Sequence, residues 1–163
     1  MARTNSNMVP LGTEAKDFKL YDTVSKTVVS FDQIKGSLGT LVLFICNHCP
    51  FVIHINPILI KISKKYKKSG LNIVAISSND VEKYPQDGPL QMAKHAKKNG
   101  YDFPYLFDET QEVAKAYDAA CTPDFFGFNS EFKIDHSKFV GCGAADGAAV
   151  SDFTISRMLP ESF

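Results

Sequence analysis

Leu41-Val42-Leu43-Phe44-Ile45-Cys46-Asn47-His48-Cys49-Pro50-Phe51-Val52 is the stretch on which the fold turns. Its first five residues are a continuous apolar run, the pattern of a strand buried on both faces, and the run ends directly on Cys46. From Cys49 the period changes. Phe51, Ile55, Leu59, Ile62 and Tyr66 recur at three or four residues, which predicts a helix. Lys64, Lys65, Lys67 and Lys68 fall in its last turn, where cations complement the helix dipole, and Gly70 stops it. Pro57 lies inside and should kink it. A strand that hands a Cys-x-x-Cys pair to the start of an amphipathic helix is a specific context. Peptide N–H groups at that end carry about half a positive charge and lower a thiol pKa, so one of the two thiols is expected to be a nucleophile. The plainer alternative is two buried cysteines that happen to fall three residues apart. A protonated His48 would stabilise the thiolate further and make the disulfide more oxidising, unless His48 is only a solvated residue at a helix start.

Working outward, Asp17-Phe18-Lys19-Leu20-Tyr21 alternates with period two and Thr27-Val28-Val29-Ser30-Phe31 is rich in β-branched residues, which predicts an N-terminal hairpin. Leu71 to Ile76 reads as a second buried strand. A long connection through Pro85 and Gly88 then leads to a helix opened by Pro89 and closed by Gly100. Pro104-Tyr105-Leu106-Phe107 is a short strand. Asp108 is expected to cap a helix running to about Ala119, with Gln111 completing a capping box. Phe125 to Phe128 reads as a strand, Asn129-Ser130 as its turn and Phe132-Lys133-Ile134 as its hairpin partner. Beyond Ile134 the signal fades into the Gly/Ala-rich Gly141 to Ala149, and Phe153 to Leu159 is at best a short terminal helix. Strands alternating with helices predict an α/β fold around a sheet that is at least partly parallel.

The chain has 163 residues, 44% hydrophobic and 22% charged, which suits one soluble domain spanning residues 1–163. Eighteen Lys and Arg balance eighteen Asp and Glu, so the net charge offers nothing to nucleic acid or to an anionic membrane. No apolar run approaches the ~20 residues of a membrane span. Met1 to Gly12 lacks the apolar core of a secretory signal, so a cytoplasmic location is expected. Four cysteines are too few for a disulfide scaffold; Cys121 and Cys142 stand far from the pair. The Lys61 to Lys68 run reads as a solvated helix end.

Three stretches together resemble the thioredoxin-like superfamily, and more closely its redoxin branch of alkyl hydroperoxide reductase/thiol-specific antioxidant-type domains. They are Pro10-Leu11-Gly12 to Asp17-Phe18-Lys19-Leu20, Leu43 to Val52 across the Cys-Asn-His-Cys-Pro site, and Cys121-Thr122-Pro123-Asp124-Phe125-Phe126. The resemblance covers roughly residues 10–134, leaving 135–163 as an atypical tail. It implies a central mixed sheet flanked by helices, with the hairpin as an N-terminal extension. It also implies a cis Pro123 that, after Thr122, lies against Cys46 and Cys49 and presents backbone to a substrate. Cys121 would then fall near the site, as a third redox thiol or as a small buried hydrophobe.

Two features depart from the family pattern. Ile45 stands where an aromatic residue usually precedes the first Cys, and Thr40 stands six before Cys46 where thioredoxins bury an acid. Proton transfer from Cys49 must therefore use another group or water.

The implied activity is thiol-disulfide oxidoreduction, with the Cys46 thiolate attacking and Cys49 resolving. Its substrates would be protein or small-molecule disulfides, its electron donor the thioredoxin or glutathione system, and no cofactor is called for. The oligomeric state is left open. The alternative is a thiol peroxidase with Cys49 as the peroxidatic cysteine and Cys46 in the place of a Thr. Against it, Val42 replaces the upstream Pro and no Arg lies between Arg3 and Arg157. A third reading is a metal-binding or metallochaperone domain using Cys46, Cys49 and His48 or His54. Zinc wants four ligands at set spacings and no second tight pair exists, although Cu(I) accepts two thiolates.

Overall fold

The computed structural model describes residues 6, 7 and 9–133. The elements in chain order are β1 (Lys19–Asp22), β2 (Val28–Ser30), α1 (Phe31–Ile34), β3 (Gly39–Phe44), α2 (Pro50–Tyr66), β4 (Leu71–Ser77), α3 (Pro89–Asn99), β5 (Tyr105–Phe107), α4 (Glu112–Tyr117) and β6 (Asp124–Asn129). They build one mixed sheet in the order β2-β1-β5-β4-β3-β6. The pairs β3–β4 and β4–β5 are parallel; β1 runs antiparallel to β2 and to β5, and β6 antiparallel to β3. The expected α/β architecture with its N-terminal hairpin is therefore present.

The apolar run predicted over 41–45 lies at the centre of this sheet, and all six residues of β3 are buried. Successive side chains of a strand point to opposite faces. Leu41 and Leu43 accordingly join Val52, Ile55, Leu59 and Ile62 of α2 and Met92 and Ala96 of α3 in one cluster. Val42 and Phe44 join Phe31, Tyr117, Phe126 and Phe128 in the other. A continuous apolar run without alternation is what a strand with helices on both faces demands. α2 continues through Pro57. It ends in a 3-10 turn, Lys67–Ser69, and Gly70 follows in the left-handed region at φ +88°. No helix among the described residues is long and apolar enough to cross a membrane.

Three local expectations are corrected. Phe31 opens α1 rather than extending β2, because the Gln33 side chain accepts the Ser30 N–H at 2.8 Å and turns the chain there. The helix expected from Asp108 to Ala119 is shortened to α4, because Gln111 and Asp118 at its two ends adopt positive φ. Asp108 still serves it from a distance, accepting the Ala114 N–H at 3.0 Å, while Gln111 donates to the Ser78 carbonyl instead of closing a capping box. Phe132-Lys133 forms no strand. The chain turns back so that Asn129 donates to the Lys133 carbonyl, and Lys133 makes an isolated bridge to Glu14. Ile134, Cys142, the Gly141 to Ala149 tract and the terminal helix expected over 153–159 lie outside the described residues.

Candidate active site

β3 ends at Phe44 and α2 begins at Pro50, so Cys46, Asn47, His48 and Cys49 form the turn between the central strand and its helix. Proline is favoured at the first helical position because its missing N–H is not needed there. This puts Cys49, not Cys46, at the N-cap of α2. Both are free thiols, 1% and 4% exposed respectively. Thr122–Pro123 is cis, as the resemblance implied. The Thr122 hydroxyl lies 3.5 Å from Cys46 Sγ, and Cys49 Sγ–H donates to the Thr122 carbonyl at 3.2 Å. Cys121 is half-buried beside them, its thiol donating to the Pro123 carbonyl at 3.7 Å. Fold and chain therefore bring Cys46, His48, Cys49, Thr122 and Pro123 together.

The environment makes the two thiols unequal. Cys46 is pushed far up, because it keeps its proton in a hydrogen bond to Cys49, because it is buried, and because the Asp87 carboxylate faces it. Cys49 is pulled down to about 5, chiefly by that same donation from Cys46 and then, against the cost of burial, by the amides of Val52 and Phe51 in the first turn of α2. The Thr122 carbonyl opposes this, since it accepts only from the protonated thiol. The neighbouring Cys46 and the helix N-terminus outweigh that one acceptor, and the direction at Cys49 is down. The pH dependence follows: the thiolate is present above pH about 5 and is lost as pH falls through it. The ultraviolet absorbance of the thiolate should titrate there with an amplitude of one thiol per chain, and a single midpoint near the free-cysteine value of about 8.5 would contradict the arrangement.

Asp87 is the functional residue that sequence reasoning missed. It closes the 3-10 turn Pro85–Asp87 just before α3 and is fully buried. Its Oδ1 accepts the Asn47 N–H at 2.8 Å, and its Oδ2 accepts from Asn79 Nδ2 at 2.9 Å and pairs with His48 Nδ1 at 2.5 Å. The other face of His48 stacks on Tyr84, with ring centroids 4.6 Å apart and planes at 14°. His48, at which the sequence led to an expected positive charge, thus has a carboxylate beside it. Thr40, which stands where a buried acid would be expected, is spent on structure, accepting the Gly36 N–H at 3.0 Å. The one signal for Asp87 in the sequence was an acid bracketed by Pro and Gly in a long connection, which carries no information about what it faces.

Among the described residues, Cys46 Sγ, a His48 ring nitrogen and an Asp87 oxygen, all within 4.8 Å of one another, are the group with the donor types of a metal site. Exposed His54 is not part of it. Both Asp87 oxygens already accept hydrogen bonds from Asn47, Asn79 and His48. That bonding fits a proton-handling cluster better than a ligand set held open for an ion.

The AhpC/TSA family matches residues 11–141. An uncharacterized conserved protein from Geobacillus kaustophilus is 43% identical, with 99% of this chain and 90% of that one covered and a TM-score of 0.81. The thioredoxin domain of a thiol-disulfide oxidoreductase from Bacteroides vulgatus is 21% identical, covering 78% and 86% of the two chains at a TM-score of 0.64. Peroxidoxin BcpB from Mycobacterium tuberculosis is 18% identical, covering 91% and 95% at a TM-score of 0.67. A search of curated proteins found none that matches.

Proposed function

The chain belongs to the AhpC/TSA family and has a thioredoxin-like fold, and from that premise we propose that it is a thiol-disulfide oxidoreductase whose Cys46 and Cys49 cycle between dithiol and disulfide. One observation carries this reading: two free, buried thiols share one short turn at the start of α2, both hydrogen-bonded to Thr122 beside the cis Pro123. Thiols in contact on one short turn are suited to trading a proton and then a covalent bond. Because Cys49 sits at the N-cap of α2, we assign it as the attacking sulfur and Cys46 as the resolving one, the reverse of the order expected from sequence. Attack of the Cys49 thiolate on a disulfide R–S–S–R′ forms Cys49–S–S–R and expels R′–S⁻. Attack by Cys46 on Cys49 Sγ then closes the Cys46–Cys49 disulfide and expels R–S⁻. The substrates we assign are protein or small-molecule disulfides. The thioredoxin or glutathione system returns the pair to the dithiol, in a cytoplasm that keeps thiols reduced.

A second reading, thiol peroxidase, is favoured by the same lowered Cys49. Peroxide oxygen would be taken by Cys49 as a sulfenic acid, and condensation with Cys46 would release water and leave the same disulfide. The chain supplies no Arg between Arg3 and Arg157 to stabilise the developing charge, so disulfide exchange is the first reading.

Mass spectrometry of the air-oxidised protein should find Cys46 joined to Cys49 and the bond lost on treatment with thiol reductant. A pairing that leaves either residue out would overturn the cycle. Rates with hydrogen peroxide and with a model disulfide, compared at equal concentration, separate the two readings.

A further inference from the structure

The buried Asp87 carboxylate has no part in the two covalent steps as written, yet its bonds aim at the turn that carries them out. Two of its three partners, the Asn47 N–H and His48 Nδ1, lie between the cysteines. A carboxylate taken out of water costs several kcal/mol unless it is paired and hydrogen-bonded. Its side-chain partner on the turn is His48, a group that gains and loses protons, where a lysine or arginine would have held a fixed charge. The resolving step needs such a group: Cys46 must give up its proton to attack, and no solvent reaches its sulfur freely at 1% exposure. Cys46 Sγ, a His48 nitrogen and an Asp87 oxygen lie within 4.8 Å of one another.

We propose that the His48–Asp87 pair accepts the Cys46 proton in the resolving step, Asp87 acting as the positioning residue that orients His48 and balances the charge it takes up. This rests on the dithiol cycle above. The S–H bond of Cys46 breaks and its proton passes to the pair, which changes from one negative charge to neutral. The sulfur's electron pair forms the bond to Cys49 Sγ. The Cys49–S–R bond breaks, and its electrons leave with R–S⁻, to which the pair can return the proton. The carboxylate thus enters from the loop before α3, at a site whose β3 position is occupied by Thr40.

Other groups around the pair are Cys49 on the same turn, Tyr84 stacked on His48, and Thr122 against both sulfurs. From β5, Tyr105 donates its hydroxyl hydrogen to Asn47, and from α3, His95 feels the Asp87 charge. Tyr105 is pushed well up by burial and His95 is pushed down by burial, so neither competes for the Cys46 proton near neutral pH.

The test uses dithiobis(nitrobenzoate), which releases one coloured thiolate when Cys49 attacks and a second when Cys46 resolves. In Asp87→Asn the second phase should slow about 100-fold more than the first, the low end of general-base catalysis. Its rate should also become proportional to hydroxide, where the wild type is flat near neutral pH. Asp87→Glu should restore part of the rate and the flat profile. His48→Gln should show the same hydroxide dependence, and it decides the matter should Asp87→Asn fail to fold by circular dichroism. Equal slowing of both phases, or a pH profile unchanged from wild type, would reduce Asp87 to a brace for the loop. A wild type that releases only one equivalent would instead overturn the dithiol cycle itself.

Discussion

Cys49→Ser will lose attack on a substrate disulfide by roughly 1000-fold or more, because the nucleophile itself is removed. Cys46→Ser will keep the first step and stall with substrate bound to Cys49. The asymmetry comes from where the helix starts. With Pro50 at the first helical position, Cys49 sits at the N-cap of α2, where the first-turn amides of Val52 and Phe51 favour its thiolate, whereas Cys46 faces the Asp87 carboxylate. In Cys46→Ser a hydroxyl replaces the resolving thiol, and it cannot close a disulfide. A mixed disulfide therefore accumulates on Cys49 and is released only by added thiol. Intact-protein mass spectrometry after mixing with an aromatic disulfide reads this directly. Adduct on Cys46 in the Cys49→Ser variant, with none on Cys49 in the Cys46→Ser variant, would restore the order of roles expected from the motif alone.

Gly36→Ala will destabilise the protein by about 3 kcal/mol or more, at the upper end for overpacking a site that cannot open. A methyl group at Gly36 would lie 2.1 Å from the Gly39 carbonyl oxygen, 2.4 Å from that of Gly70 and 2.8 Å from the Asn72 nitrogen, all backbone. None of these can swing aside as a side chain would. The contacts also hold the start of β3 against the start of β4: Leu38 donates to the Gly70 carbonyl, and Asn72 donates its side chain to the Ile34 carbonyl. Relief requires moving one central strand relative to the other. The melting temperature should fall by roughly 6–12 °C. A variant within 1 °C of wild type in a thermal melt would show that this approach is not maintained.

The hairpin, the two buried central strands and the long helix after Cys49 were legible in the chain; the cis Pro123 and its place with Thr122 against Cys46 and Cys49 came from the family resemblance. Hydrophobic period is a local quantity: the run 41–45 and the spacing of Ile55, Leu59, Ile62 and Tyr66 each specify their own partner face within a few residues. The extra turn at α1, the late start of α4 and the turn back at Phe132-Lys133 in place of a strand were not legible. Each depends on one hydrogen bond or one left-handed residue, Gln33 on Ser30 and Gln111 at φ 60° among them.

The sequence by itself determined the α/β class, the dithiol turn and its place between a buried strand and an amphipathic helix, because apolar period and turn chemistry act over short range. Only the tertiary structure decided which thiol the helix serves and where the site's acid comes from. The first depends on the residue at which helical hydrogen bonding begins, a matter of one turn that periodicity does not resolve. The second joins Asp87 to Asn47 and His48 across about forty residues of chain. A carboxylate in a polar loop becomes a partner of Cys46 only when packing the sheet and its helices excludes water from both.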